Sequence, residues 1–314
     1  MSGPVSAHLP VLYQEVMVAL QPHSRGLYVD GTVGLGGHAS GILLASTPGG
    51  RLLGLDVDPQ ALEFAGQRVA EFGERAVVRH GSFSDLAQHL AAAGWQQVDG
   101  ILLDLGASSP QFERAERGFS FQQEGPLDMR FDPHTALSAA QIVNEWPEED
   151  LADILYRYGE ERQSRKVARA IVRARPLSTT TELAGVISKA LGGRRGGIHP
   201  ATRSFQALRI AVNRELEALE AALPQAVGAL RPGGRLAVIS FQSLEDRAVK
   251  QFMRRESQDC ICPPQQLVCT CGHKATIEEV TRKPIRPGEA EIQTNPRARS
   301  ARLRVAEKLV QGLA

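Results

Sequence analysis

Residues 27–38 read Leu27-Tyr-Val-Asp-Gly-Thr-Val-Gly-Leu-Gly-Gly-His38, and this stretch decides the fold. The apolar residues Leu27 to Val29 are typical of a buried strand, which ends at Asp30. Four glycines follow within the next seven positions, and Ala39–Ala45 is predicted to be helical. A glycine turn between a strand and a helix allows a ligand to lie against bare backbone at the helix N-terminus. The stretch therefore predicts an α/β domain with a binding site at its first turn.

A second strand, Arg51-Leu-Leu-Gly-Leu-Asp56, ends in an acid at the spacing at which nucleoside-binding domains hold the ribose hydroxyls. The turn does not have the third glycine of a dinucleotide motif, because Ala39 stands at that place. Carboxylates at Asp30 and Asp56 would repel a pyrophosphate. They suit S-adenosylmethionine (SAM), which carries an ammonium, a sulfonium and a ribose. The alternative is a tight turn that holds no ligand.

Short apolar strands alternate with helices up to residue 105, and this pattern predicts a parallel sheet covered on both faces. Beyond it we predict helices at 147–158, 162–175, 181–191 and 201–223, then a turn at 230–235, a strand at 236–240 and a helix at 243–255. The simplest architecture is a doubly wound, Rossmann-like α/β domain of residues 1–110 and 215–314. An all-helical domain, residues 111–214, is inserted into it and is predicted to recognise RNA or another substrate.

Charge is unevenly distributed along the 314 residues, although the formal net charge is only +1. Residues 157–214 carry a local charge of +10 and residues 281–304 one of +5, and such a split favours a polyanionic partner, with a charged protein partner as the alternative. No apolar run approaches 18 residues, so we expect no membrane-spanning helix. The N-terminus is too polar for a signal peptide, and we expect a cytoplasmic protein.

Asp104 ends the fourth predicted strand in Ile101-Leu-Leu-Asp-Leu-Gly-Ala-Ser-Ser-Pro-Gln111. Strand ends on one edge of an open α/β sheet converge on the ligand crevice, so we predict that Asp104 faces the methyl donor. A carboxylate there can accept a hydrogen bond from an exocyclic amine. The stretch resembles an altered form of the acid/Asn-Pro-Pro-aromatic loop of amino-methyltransferases. The alternative is an aspartate that only caps a turn.

Longer motifs resemble the RsmH (MraW) family, the 16S ribosomal RNA cytosine-N4 methyltransferases. The resemblance covers nearly the whole chain. It rests on His8-Leu-Pro-Val-Leu12, Asp30-Gly-Thr-Val-Gly-Leu-Gly-Gly-His38, Leu103-Asp-Leu-Gly-Ala-Ser-Ser-Pro-Gln111, Glu116-Arg-Gly-Phe-Ser-Phe121, Gly125-Pro-Leu-Asp-Met-Arg130, His199-Pro-Ala-Thr-Arg-Ser-Phe-Gln-Ala-Leu-Arg209, Ser240-Phe-Gln-Ser-Leu-Glu-Asp-Arg247 and Asn295-Pro-Arg-Ala-Arg-Ser300.

The resemblance implies a class I SAM-dependent methyltransferase that modifies a cytosine in the decoding region of small-subunit rRNA. It implies that the donor is held by Gly36, Gly37, His38, Asp56 (ribose), Phe83 (adenine), Asp104 and Gln111. Our own hypothesis is that Asp104 is the catalytic residue, which accepts a hydrogen bond from the cytosine N4–H, with Ser108 or Ser109 as a further acceptor. We expect His38 to act through its backbone at the helix start. Gln242 stands where the family has His, which weakens any role for that position as an obligatory proton acceptor, because an amide does not titrate. Glu124 stands where the family often has Asp.

A basic stripe is the main RNA-binding candidate, because its members share one face of a predicted helix: Arg162, Arg165, Arg169 and Arg173. Further phosphate candidates are Arg194, Arg195, Arg203, Arg297, Arg299, Arg302 and Arg304. Phe119, Phe121 and Phe241 are candidate platforms for an unstacked base, with core packing as the alternative. The expected partner is 16S rRNA within the small subunit, with no membrane and no DNA.

Four cysteines, Cys260, Cys262, Cys269 and Cys271, form two C-x-C pairs that indicate either bound zinc or a reduced loop. The pairs are tighter than the usual zinc C-x2-C spacing, so the reduced loop is favoured and no metal ligand is assigned.

The alternative to catalysis is a ribosome-assembly or RNA-binding factor that binds SAM without transferring its methyl group. A DNA amino-methyltransferase is disfavoured by the near end-to-end resemblance.

Overall fold

The computed structural model describes residues 10–193, 197, 199–266 and 268–310. The chain forms two compact units. Unit 1 combines Met1–Gly106 with Leu216–Ala314, and unit 2 is Ala107–Glu215. Within the described residues, no helix is long and apolar enough to cross a membrane.

A seven-stranded sheet is built from the described residues of unit 1. Its strands are β1 (Leu27–Asp30), β2 (Arg51–Asp56), β3 (Ala76–His80), β4 (Val98–Asp104), β5 (Leu230–Ser240), β6 (Ile277–Glu279) and β7 (Arg302–Lys308). They lie in the order β3-β2-β1-β4-β5-β7-β6. The first five are parallel, while β7 is antiparallel to both of its neighbours. The doubly wound α/β class is confirmed, and the strand order reverses between β1 and β4, where such sheets bind ligands.

Helices cover both faces of this sheet. They are α1 (Tyr13–Leu20), α2 (Gly37–Ala45), α3 (Pro59–Val69), α4 (Leu86–Ala92), α11 (Glu215–Ala229), α12 (Ser243–Glu256) and α13 (Glu289–Thr294). Tyr28 and Leu52 belong to one buried cluster with residues of α1 and α2, while Val29 and Leu53 belong to another with residues of α4 and α11. Adjacent strand residues point to opposite faces, so the near-continuous apolar strands are explained by two cores.

Unit 2 is helical and has its own core. Its helices are α5 (Ser109–Glu113), α6 (Ala139–Glu145), α7 (Glu148–Arg157), α8 (Ser164–Ala174), α9 (Thr180–Ala190) and α10 (Thr202–Asn213). Buried side chains such as Leu155, Ile171, Leu183 and Leu208 form one contiguous cluster. The RNA-recognition role of residues 111–214 stays a prediction.

The single helix predicted at 201–223 is wrong, because α10 ends at Asn213 and Arg214 adopts φ 50°. The Asn213 amide donates to the carbonyl oxygens of Met129 and Arg209 at 2.7 and 2.9 Å, which fixes this end. Arg209 also pairs with Glu215 across the break at 2.8 Å. Apolar periodicity continues through the break and does not reveal it, since both helices bury one face.

The turn predicted at 230–235 lies within β5. Leu230 pairs with Val98 and Arg235 pairs with Gly100, with a register shift between them. Gly233 has φ 79° inside this irregular stretch. The glycine and proline signals therefore indicate a bulge in a long strand rather than a turn that precedes it.

Candidate active site

The glycine turn of unit 1 lies across the carboxyl ends of three strands. The N–H of Gly31 donates to the Leu102 carbonyl oxygen of β4 at 2.9 Å, and the N–H of Val33 donates to the Leu55 carbonyl oxygen of β2 at 2.8 Å. The turn ends at Gly36, which adopts φ 76° as the N-cap of α2. The helix begins two residues earlier than predicted, so Gly37 and His38 belong to its first turn.

Close packing explains both glycines at the helix entry. A Cβ on Gly36 would lie 3.1 Å from Cα of Ala65 on α3, and one on Gly37 would lie 2.8 Å from Cγ of Pro10. Glycine is therefore needed there by the fold itself. Their predicted contact with SAM stays a prediction.

Replacing Gly36 with alanine is expected to cost about 1–2 kcal/mol of stability, because a residue with Cβ is strained at φ 76°. We also expect weaker SAM binding, since relief of the strain moves the turn. The control is Gly66→Ala on α3, where an added Cβ meets nothing within 4 Å. That variant should be neutral or slightly stabilised. Urea unfolding and SAM titration calorimetry check both, and equal stability of the two variants would contradict the account.

Three acids gather at this edge of the sheet, at the ends of β1, β2 and β4. Asp30 is 1% exposed, and burial together with the charge of Asp56 raises its pKa to about 7. Burial also raises the pKa of Asp56, whose oxygens accept the N–H groups of Gly34 at 2.9 Å and Asp58 at 3.0 Å. Burial, followed by the charges of Asp30 and Glu245, raises the pKa of Asp104 well above its usual value. Acids crowded out of water favour a bound cation.

Asp30→Asn should stabilise the ligand-free protein, and the gain should grow with pH. The Asp30 pKa is about 7 in the fold against 3.8 in the unfolded chain, so wild type loses stability as the pH rises between those values. The asparagine does not titrate and keeps the shape. The gain approaches the order of 4 kcal/mol above pH 8. Urea unfolding at pH 5 and pH 8 measures it, and a gain of equal size at both pH values would contradict the assignment.

His38 lies beside Asp104, with 3.6 Å between Nε2 and Oδ2. Burial lowers the pKa of His38 to about 4, so its ring is neutral at physiological pH. Both ring nitrogens and Oδ1 of Asp104 are sealed from solvent, and none makes a hydrogen bond of good geometry among the residues described, although a backbone contact with Val11 partly offsets the effect of burial on the His38 pKa. Buried polar atoms without partners are rare and call for an explanation. The predicted backbone role of His38 is therefore incomplete, because its side chain lies beside Asp104, the catalytic candidate.

These observations fit SAM. The unsatisfied atoms of His38 and Asp104 and the cluster of three carboxyl groups suit a ligand that is both polar and cationic. Phe83 begins a short turn after β3, and its Cβ would lie 3.1 Å from a Cβ on Gly31. An aromatic ring is thereby placed beside the glycine turn, as the predicted adenine contact requires. The individual contacts with SAM remain predictions.

Gln111 belongs to unit 2, so its predicted contact with SAM stays a prediction. The side chain is 6% exposed, and its Oε1 accepts the N–H of Ser108 at 2.9 Å, within a capping box at the start of α5.

Gln242 is the N-cap of α12, and its Nε2 donates to Oε1 of Glu245 at 2.9 Å. The other carboxylate oxygen of Glu245 accepts the N–H of Phe241 at 2.9 Å. Glu245 is 2% exposed, and its charge helps to raise the Asp104 pKa. Sequence reasoning missed Glu245, although a cap followed three residues later by Glu is the signature of a capping box.

The predicted basic stripe lies on the surface of unit 2. Arg165, Arg169 and Arg173 are exposed on α8, opposite the buried Val167 and Ile171. Arg162 is exposed just before the helix. The Arg169 guanidinium lies 3.3 Å from Glu148, a surface pair worth little.

The remaining basic candidates have different environments. Arg203, Arg297 and Arg299 are exposed, whereas Arg194 and Arg195 lie outside the described residues. Arg304 was wrongly predicted to bind phosphate, because its side chain is buried, whereas the phosphate contact of the partly exposed Arg302 stays a prediction. Arg302 and Arg304 donate to the two oxygens of Asp246 at 2.9 and 2.7 Å, and Arg304 is 4% exposed.

The aromatic candidates of unit 2 pack within that unit. Phe119 is 5% exposed and stacks on Phe131 with centroids 5.4 Å apart, which favours the alternative of core packing. Phe121 contacts the rings of His199 and Phe205 at 4.6 and 4.8 Å. Phe241 of unit 1 is half-buried, and its role as a platform stays a prediction.

Comparisons with known proteins identify the family of the chain. The MraW methylase family matches residues 5–309. A protein from Thermomicrobium roseum named ribosomal RNA small subunit methyltransferase H is 52% identical, over 97% of this chain and 94% of that protein. Proteins of the same name from Heliobacterium mobile and Syntrophotalea carbinolica are each 51% identical, over 96% and 98% of this chain and 99% and 100% of their own lengths. The chain belongs to the MraW methylase family.

Proposed function

We propose that the protein transfers a methyl group from SAM to the exocyclic N4 of a cytosine in the decoding region of small-subunit rRNA. The relatives described above are named as methyltransferases of small-subunit ribosomal RNA. Choice of N4 rests on one observation, the sealed carboxyl oxygen of Asp104 at the end of β4. A carboxylate there is suited to accept a hydrogen bond from an amine.

The cytosine amine is a poor nucleophile, because its lone pair is delocalised into the ring. SAM supplies an electrophilic methyl group on a sulfonium. The task left to the protein is alignment and polarisation. The Asp104 carboxylate accepts the N4–H, which holds the amine in place and directs its lone pair at the methyl carbon.

Proton balance also favours Asp104. When the new C–N bond forms and the C–S bond breaks, the methylated amine becomes acidic and sheds one proton. A carboxylate with a raised pKa is a ready acceptor for that proton. The neighbouring His38 ring is neutral, since its pKa is about 4. The His38 ring therefore forms no ion pair with Asp104, and the Asp104 carboxylate stays available to accept the proton.

Unit 2 supplies the proposed rRNA-binding surface through Arg162, Arg165, Arg169 and Arg173. All four are exposed, and their charges are suited to phosphate contacts that fix the orientation of the RNA.

The test is transfer of tritiated methyl from SAM to assembled small subunits, to naked 16S rRNA and to duplex DNA, followed by nucleoside analysis. N4-methylcytidine from an RNA substrate is the expected product. Label on C5, or transfer to DNA alone, would overturn the proposal. SAM binding without transfer to any substrate would favour the second candidate, an assembly factor that binds SAM without catalysis.

A further inference from the structure

The long loop between α12 and β6, residues 257–276, contains no helix or strand among its described residues. Among its described residues none is buried, and Ile261 and Val268 are 38% and 72% exposed. A structureless loop of this length inside a compact unit is uncommon unless something functional orders it. Within the loop, however, all four cysteines of the chain converge.

The thiol geometry matches a tetrahedral metal site. The Sγ atoms of Cys260, Cys262, Cys269 and Cys271 all lie within 4.8 Å of one another. Sγ of Cys271 is 3.6 Å from that of Cys269 and 3.8 Å from that of Cys260. Four sulfurs at about 2.3 Å from a zinc ion are separated by about 3.8 Å in a regular tetrahedron. The C-x-C spacing, which disfavoured zinc on the sequence alone, does not prevent this arrangement.

The surroundings of the thiols favour four cysteine sulfurs as the metal ligands, without the nearby His273. The backbone N–H of Ile261 donates to Sγ of Cys271 at 3.4 Å, a contact that favours a thiolate. His273 lies nearby in sequence, but its Nδ1 lies 2.8 Å from the carbonyl oxygen of Gln258, and its Nε2 lies 3.7 Å from Glu256. The imidazole therefore has partners outside the cluster.

We propose that these four cysteines bind one structural zinc ion that orders the loop between α12 and β6. Each thiol releases a proton to solvent as its sulfur binds the ion. Four thiolates leave no open coordination position, so the ion has no part in the methyl transfer. In a reducing compartment, zinc rather than two disulfides holds such a cluster.

Metal analysis tests the proposal. Protein purified under reducing conditions from zinc-supplemented cells should contain one zinc per chain, and Cys260→Ser/Cys271→Ser should contain none. His273→Asn is the matched control and should retain one equivalent; its loss would overturn the four-sulfur assignment. Four free thiols that take up no added zinc, two disulfides, or bound iron instead of zinc would each reject the proposal.

A second measurement covers the case in which the serine variant does not fold. Replacement of the metal by Co²⁺ in wild type should give the intense visible absorption of tetrahedral cobalt thiolate. Chelation should also speed tryptic cleavage at the exposed Lys274, and added zinc should restore protection. Cleavage that is indifferent to zinc would contradict a role in ordering the loop.

Discussion

Asp104→Ala is expected to reduce methyl transfer by about 10³-fold or more, while the protein stays folded and SAM binding weakens far less than transfer does. The estimate combines loss of a positioned proton acceptor with loss of an oriented hydrogen bond to the amine. Burial of the side chain costs free energy in wild type, so its removal does not penalise the fold. Single-turnover transfer to small subunits, alongside SAM calorimetry, separates chemistry from donor binding.

Asp104→Asn refines this test, because the amide keeps the shape but cannot accept the released proton. The matched control is Glu278→Gln, which removes an exposed carboxylate on β6 and should leave transfer unchanged. Since the Asp104 pKa is raised, wild-type transfer should climb as pH rises through it, and residual transfer by the asparagine variant should not follow that rise. Transfer by Asp104→Ala within a few-fold of wild type would remove Asp104 from the mechanism.

Charge reversal of the four stripe arginines to glutamate should weaken rRNA binding by about 10³-fold at moderate salt. Loss of four phosphate contacts should also make the dependence of log K on log salt shallower by about 3. All four side chains are exposed, so the variant should fold as wild type does. Filter binding of 16S rRNA at several salt concentrations gives both quantities.

Two double variants test whether the effect on rRNA affinity comes only from the change in net charge. Arg165→Glu/Arg173→Glu and Lys250→Glu/Arg254→Glu change the net charge equally, and all four positions are exposed. The first pair is on α8 and the second on α12. We expect weaker binding from the first pair alone. Equal losses would show that net charge, rather than the stripe, determines affinity.

Local sequence signals were sufficient to predict those elements whose bounds are set by the residues of the segment itself. Strands β1 and β2 have the predicted bounds, because apolar runs that end in an acid and a glycine turn allow few alternatives. The break at Arg214 could not be predicted in this way, since it is fixed by a hydrogen bond from the Asn213 side chain to the backbone carbonyl oxygen of Met129, which is distant in sequence. Charge density likewise could not distinguish Arg304, which pairs with Asp246 inside the unit, from the exposed Arg299.

The sequence also could not predict which side chains from distant segments come together in the fold. The sequence placed Asp30, Asp56 and Asp104 at strand ends, but not the neutral His38 ring 3.6 Å from Asp104. The four cysteines show the same limit, because the spacing of two pairs does not reveal that a loop folds back to join them. Patterns along the chain predict helices and strands, whereas these contacts depend on how the elements and loops pack together in the folded protein.

The three clustered acids should make the binding of ligands at the donor site sensitive to a single positive charge. SAM is a cation at sulfur, whereas the demethylated product is a neutral thioether. Loading the donor should therefore lower the pKa of all three acids and, near pH 7, remove a proton from Asp30, and conversion to product should reverse this. Affinity for the donor should rise with pH while affinity for the product stays nearly level. Product release is thus favoured by the same burial that destabilises the empty site.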